Sequence, residues 1–230
     1  MSSFIDPDGA FMSALRKFAD IVFCNLLFCL FCIPFFTIGA ALSALNASMQ
    51  LLVENADDEG RSAPEVFLRS FRANFRQATG LWLICVAGIV FLVLDYFIIT
   101  SMEGMAGKAY KVTFLVLVLL FLFGFQYLFP MQARYDLKVR DLLRNAWLIS
   151  IAAFPWTFAT LAAPAALTYM TVIRNEKGFF LAIFLWMTVG FGIVAYLNSF
   201  IFLRVFRKKG LEEDRTEEED PEYDDRQLKQ

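Results

Sequence analysis

The chain of 230 residues contains no histidine. Its absence removes the Ser-His-Asp triad, the Cys-His nucleophile, His-ligated zinc and the imidazole proton shuttle. Charge is scarce as well. Asp, Glu, Lys and Arg make up 19% of the residues, against about 25% in a soluble domain. A formal net charge of −2 argues against a nucleic-acid binder. There is no Gly-rich phosphate loop, no Walker or kinase signature and no carboxylate pair at acid–base spacing. The expectation is a protein that is not an enzyme and holds no metal or cofactor. What is abundant is apolar: 58% of residues are hydrophobic and 27 are phenylalanine.

That hydrophobicity falls in long runs free of Asp, Glu, Lys and Arg. They are Ile21–Val53, Gln77–Leu94, Val112–Ala133, Asn145–Ile173 and Gly178–Leu203. A spanning helix needs about 20 such residues. Asp95 interrupts the second run, and apolar sequence resumes to Thr100. The first run would reach about 50 Å as one helix, well beyond a hydrocarbon core of about 30 Å. Pro34 is the obvious break, with Thr37 placed to N-cap a second helix. Gly39, Ser43 and Ala47 then make a small-residue face for close packing. The pattern predicts an all-α polytopic membrane bundle with five to six embedded helices. Their expected ranges are 11–33, 37–53, 79–100, 112–133, 146–173 and 179–203.

Basic residues outside the runs give an orientation. If the first run crosses once, the two sides carry 12 and 6 positive charges. If it is a hairpin, they carry 14 and 4. Both arrangements put the C-terminus and the 134–144 loop inside. The hairpin separates charge better, but it turns Phe35 and Phe36 near the outer surface. A shallow re-entrant pair answers that difficulty.

Two soluble-facing segments stand out. Ser62 and Glu65 fit a capping box. The helix they open, 63–78, has Phe67, Phe71, Phe75 and Ala78 on one face and Arg69, Arg72 and Arg76 on another. It reads as a basic amphipathic interfacial helix, either a plain positive-inside anchor or a docking surface. Residues 210–230 carry ten acids and three bases and read as an acidic, disordered cytoplasmic tail appended to a helical domain of residues 1–209.

Few side chains are candidates for chemistry. Cys24, Cys29, Cys32 and Cys85 lie within apolar runs and read as small hydrophobic filler. Asp95 is the intramembrane acid, a functional or hydrogen-bonded structural carboxylate. Asn74, Gln77, Gln126, Tyr127, Arg134, Asn145 and Asn198 define a polar layer towards the cytoplasmic side, where a ligand site would lie. Asn25 and Asn46 suit interhelical hydrogen bonds. Pro155 and Pro164 interrupt the fourth run and are placed to bend it, around a cavity or as packing kinks.

Several short pieces together resemble the YesL-like family of bacterial integral membrane proteins. The most specific are Pro34-x-x-Thr37-Ile38-Gly39 and Asn74-Phe75-x-Gln77-Ala78. Asn25, Phe129-Pro130, Arg134-Tyr135 and Asn145-Ala146 extend the similarity over about residues 4–208. The resemblance implies a small multi-pass protein of the bacterial cytoplasmic membrane. It supplies no catalytic residue and gives structural weight to Pro34, Thr37, Gly39, Asn74 and Gln77. Its members are commonly encoded beside carbohydrate uptake genes, which implies an accessory or regulatory role with a carbohydrate ABC transporter as partner. The alternative is a small transporter or channel using Asp95 and the polar layer.

Overall fold

The computed structural model describes residues 10–54, 62–173 and 178–208. The acidic tail of residues 210–230 lies outside the described residues. Among them every regular element is helical. In order these are α1 (Ala10–Phe31), a 3₁₀ turn (Phe35–Thr37), α2 (Ile38–Glu54), α3 (Ala63–Thr100), α4 (Gly104–Arg134), α5 (Val139–Ala152) and α6 (Phe154–Thr168). A π turn (Tyr169–Ile173) closes α6. Then α7 (Phe179–Leu185), a second π turn (Trp186–Gly190) and α8 (Phe191–Lys208) run on as one span, Phe179–Lys208.

Four of these helices are long and apolar enough to cross a membrane: Phe35–Glu54, Ala63–Thr100, Gly107–Arg134 and Phe179–Lys208. Counting the bent pair α5–α6 as one span raises the number to five. α1, the first of the expected embedded helices, is not among these candidate spans. Arg16, Lys17 and Asp20 occupy its first half, and the clean stretch Ile21–Phe31 covers only about 16 Å.

The break at Pro34 forms as expected, and its depth is new. The tip of the α1–α2 hairpin meets α3 near the midpoint of that helix. Trp82 Nε1 donates to Phe35 O at 3.0 Å, and the two rings lie 5.7 Å apart. The hairpin therefore stops short of the Thr100 end of α3. Ile33, Phe35 and Phe36 are exposed there, at a depth where hydrocarbon would surround them. Thr37 does not N-cap α2. It sits inside the 3₁₀ turn, and its hydroxyl donates back to the carbonyls of Phe31 and Pro34. The Phe31 carbonyl lost its helical donor when α1 ended, whereas the Pro34 carbonyl also accepts from Thr37 N–H at 3.0 Å.

α2 is the buried centre, in contact with α1, α3, α4 and α8. Small residues lie around the whole helix rather than on one stripe. Gly39, Ala40, Ala41, Ser43 and Ala44 are all buried, and so are the bulkier Leu45, Met49 and Leu52. Leu42 packs on both hydrophobic cores, one built on α1–α3 and the other on α3, α4, α5 and α8. A Cβ on Gly39 would collide with the Ala78 carbonyl oxygen and come within 2.6 Å of Trp82 Cβ.

The capping box at Ser62 and Glu65 is present. The amphipathic helix and the span that follows it form one continuous helix, α3. Its phenylalanine face does not lie on lipid: Phe67 and Phe71 are buried against Phe31 of α1, with rings 5.9 and 4.5 Å away. Arg69, Arg72 and Arg76 remain exposed. The fourth apolar run bends by 96° between α5 and α6. The break falls at Ala153, two residues ahead of Pro155, while Pro164 stays inside α6.

Asn25 ties α1 to the last span. Its Nδ2 donates to Met187 O at 2.6 Å and to Trp186 O at 3.3 Å. Its Oδ1 accepts from Gly192 N–H at 2.8 Å. A π turn widens the helical ladder, and one fully buried amide serves backbone groups at both ends of it.

Two glycines should respond oppositely to alanine. Gly80 has open space where a Cβ would go, so Gly80→Ala should stabilise by about 0.5–1 kcal/mol through helix propensity. Gly39→Ala should destabilise by about 1–3 kcal/mol through overpacking. Thermal unfolding of both variants in one detergent checks this.

Candidate functional site

The described ends of α2, α4 and α8 converge on one carboxylate. Glu54, the last residue of α2, accepts a two-point contact from Arg134 of α4. Nη1 reaches Oε2 at 3.1 Å, and Nη2 reaches Oε1 at 2.8 Å. Arg207 of α8 reaches the same Oε1 at 3.4 Å. The Arg134–Glu54 pair is largely shielded, with side chains 12% and 22% exposed. The two-point geometry fixes the guanidinium plane. Two arginines thus share one carboxylate at this end.

Beside this clamp a cleft of about 460 Å³ opens between α2, α3 and α4. Gln50, Glu54, Arg69, Ser70, Asn74 and Arg134 give it its polar lining. Asn74 Nδ2 donates to Ser70 Oγ at 3.2 Å. Gln50 spans the floor and donates to Pro130 O at 3.0 Å. Arg69 is exposed and has no carboxylate partner among the described residues. Gln77 turns the other way, donating to the Leu137 carbonyl and accepting from Gln132 at 3.5 Å. Asn145 is half-buried on α5 and lines neither this cleft nor the polar cluster described next.

The expected polar layer thus divides. Asn74 and Arg134 share the cleft, whereas Gln126, Tyr127 and Asn198 meet in a separate cluster completed by Thr157 and Thr160 of α6. Gln126 Nε2 donates to Thr157 O at 3.3 Å, and its Oε1 accepts from Thr160 Oγ1 at 3.0 Å. Tyr127 Oη lies 3.2 Å from Thr157 Oγ1. Asn198 Nδ2 donates to Thr160 O at 3.3 Å. Thr157 also donates to Ser150 O at 2.7 Å, across the α5–α6 bend. Hydroxyls fill the inside of that corner and hold three helices together.

Asp95 belongs to neither group. It is buried and accepts from Tyr110 Oη at 3.4 Å. Eighteen residues separate it from Gln77 along α3, about 27 Å of helix. The cysteines are free, with Cys24 and Cys85 buried. No group of three or more potential metal ligands occurs among the described residues.

Glu54 and Arg207 belong to the clamp, and sequence reasoning did not single them out. Glu54 directly follows the apolar run Ile21–Val53. The available signal was an acid placed directly at the end of an apolar helix, among chain segments rich in arginine. Thr157 and Thr160 had a signal too, two hydroxyls at helical spacing in an apolar run.

The architecture is that of a helical membrane protein whose polar groups gather at one end. Residues 21–96 match the model of a family described as a protein of unknown function, DUF624, which contains the YesL-like proteins. The match covers 76 of the 230 residues. It holds the hairpin, Asn25, Gly39, Asn74 and Gln77, and ends before Arg134. No curated protein and no solved structure matches the chain.

Removing Glu54 should expose the energetics of the clamp. Glu54→Ala removes the two-point partner of the shielded Arg134 and should cost about 3 kcal/mol. Adding Arg134→Met should restore most of that loss. A double-mutant cycle by thermal unfolding checks it, and additive losses would mean that the pair is not coupled.

Proposed function

We propose that the protein is a non-enzymatic, YesL-like accessory subunit of the bacterial cytoplasmic membrane. It receives an acidic segment of a partner membrane protein in the cleft between α2, α3 and α4. The observation that carries this reading is the cleft itself, where Arg69 has no carboxylate partner among the described residues and stands beside Asn74 and Ser70. The Glu54 end is the cytoplasmic end, because Arg69, Arg72, Arg76, Arg134, Arg204, Arg207 and Lys208 cluster there and positive segments stay inside. The C-terminus is then cytoplasmic.

The partner class follows from the resemblance alone: a carbohydrate ABC transporter. Its loops at the membrane face would supply the acidic segment. The reading as a small transporter or channel has less support. The groups that would line a path, Gln126, Tyr127 and Asn198, are occupied by hydrogen bonds to α6. Asp95 is bonded to Tyr110, sixteen residues from Gln126 along α4, about 24 Å of helix.

A photo-crosslinking residue at Ser70, inside the cleft, tests the proposal in native membranes. It should give one stoichiometric adduct, identified by mass spectrometry as a membrane transport subunit. The same residue at the lipid-facing Val116 should give none. Adding Arg69→Glu should cut the Ser70 adduct about tenfold by placing like charges together. Equal adducts at both positions, or none at Ser70, would overturn it.

A further inference from the structure

A second basic groove shares Glu54 with the cleft but does not rest on the function proposed there. It has a volume of about 590 Å³ and lies between α2 and α8. Arg204, Arg207 and Lys208 line it together with Val53, Phe200, Leu203 and the Glu54 carboxylate that Arg207 engages. Arg204 and Lys208 have no carboxylate partner among the described residues. Arg204 is held in place by the Trp156 ring, with the guanidinium carbon 5.2 Å from the ring centre. That contact orients the cation without neutralising it.

The order of residues along α8 says what fits. Lys208 and Arg204 lie one turn apart, and Phe200 and Leu197 continue the same line at helical spacing. All four are exposed. The line is cationic at its end and apolar above it. It runs along a helix long and apolar enough to cross a membrane. A soluble anion would use only the cationic part, and a segment carrying acids alone would leave Phe200 and Leu197 uncovered. A phospholipid uses both, with its phosphate at Arg204 and Lys208 and an acyl chain along Phe200 and Leu197.

We propose that the groove between α2 and α8 is a binding site for one anionic phospholipid. A lipid with net negative charge is selected over a zwitterionic one, because a choline group would set a cation against Arg204 and Lys208.

Native mass spectrometry of the full chain, released from mixed phosphatidylglycerol and phosphatidylcholine micelles, tests this. The wild type should retain one phosphatidylglycerol in preference to phosphatidylcholine. Arg204→Gln with Lys208→Gln should lower the bound fraction about tenfold or more, since each basic residue near the headgroup contributes separately. Arg204→Lys should retain the lipid. Arg72→Gln with Arg76→Gln removes the same charge from exposed positions on α3 and should also retain it. Folding of each variant is checked by its thermal transition. Equal retention of the two lipids would overturn the proposal, as would undiminished retention in the Arg204→Gln, Lys208→Gln variant. So would an empty wild-type groove, including one filled by the chain's own acidic tail.

Discussion

Everything in this bundle is arranged around a helix with almost no exposed face. α2 touches four other helices, so at most of its positions a side chain must be small or must fit a defined space. At Gly39, α3 comes too near to admit a methyl group. Burial on all sides also brings polar atoms inside. Ser48 bonds to Ala63 O at 2.9 Å and Gln50 to Pro130 O, while Asn46 turns back on Leu42 of its own helix. A buried donor without a partner is costly, so these bonds also help to fix the register of α2 against α3 and α4. The helix ends on a carboxylate that two arginines hold.

The clamp at Glu54 and the threonine corner solve related problems in different ways. At the end of the bundle, water is close and charge can be tolerated, so an ion pair joins three helices. Within the bundle, the α5–α6 bend leaves backbone carbonyls without helical donors, and neutral hydroxyls answer them. Thr157 serves Ser150 O and reaches Tyr127, so the bend and the seam to α4 are one structure. The sharp corner is stable because side chains replace the missing hydrogen bonds of the helix.

Much of this was legible in the sequence. The apolar runs fixed where helices would lie, because a charge-free stretch of spanning length has few other fates. Pro34 marked the hairpin, and the capping box at Ser62 and Glu65 marked the start of α3. Other features were hidden because they depend on pairing across the chain. Nothing local tells that the face carrying Phe67 and Phe71 meets Phe31 instead of lipid, since both surroundings are apolar. Charge-free length could not show that α1 turns back at half depth, which is visible only once Phe35 meets Trp82. The polar layer was found residue by residue, but its division into a cleft and a closed cluster rests on Thr157, Thr160 and Glu54. Those three lay outside the set chosen by polarity and position.

The π turn at Trp186–Gly190 has a consequence for the angular phase of the last span. A π turn amounts to one extra residue in an α-helix, and one residue advances the helical wheel by about 100°. All side chains from Phe191 to Lys208 are therefore rotated relative to those before the turn. That rotation lets Trp186 point to Thr171, 2.9 Å away, while Gly192 faces α1 and Arg207 faces Glu54. The span is two helices of different phase spliced at the amide of Asn25. The orientation of its basic end is thus set about 25 Å away, at a backbone irregularity within the apolar part of the protein.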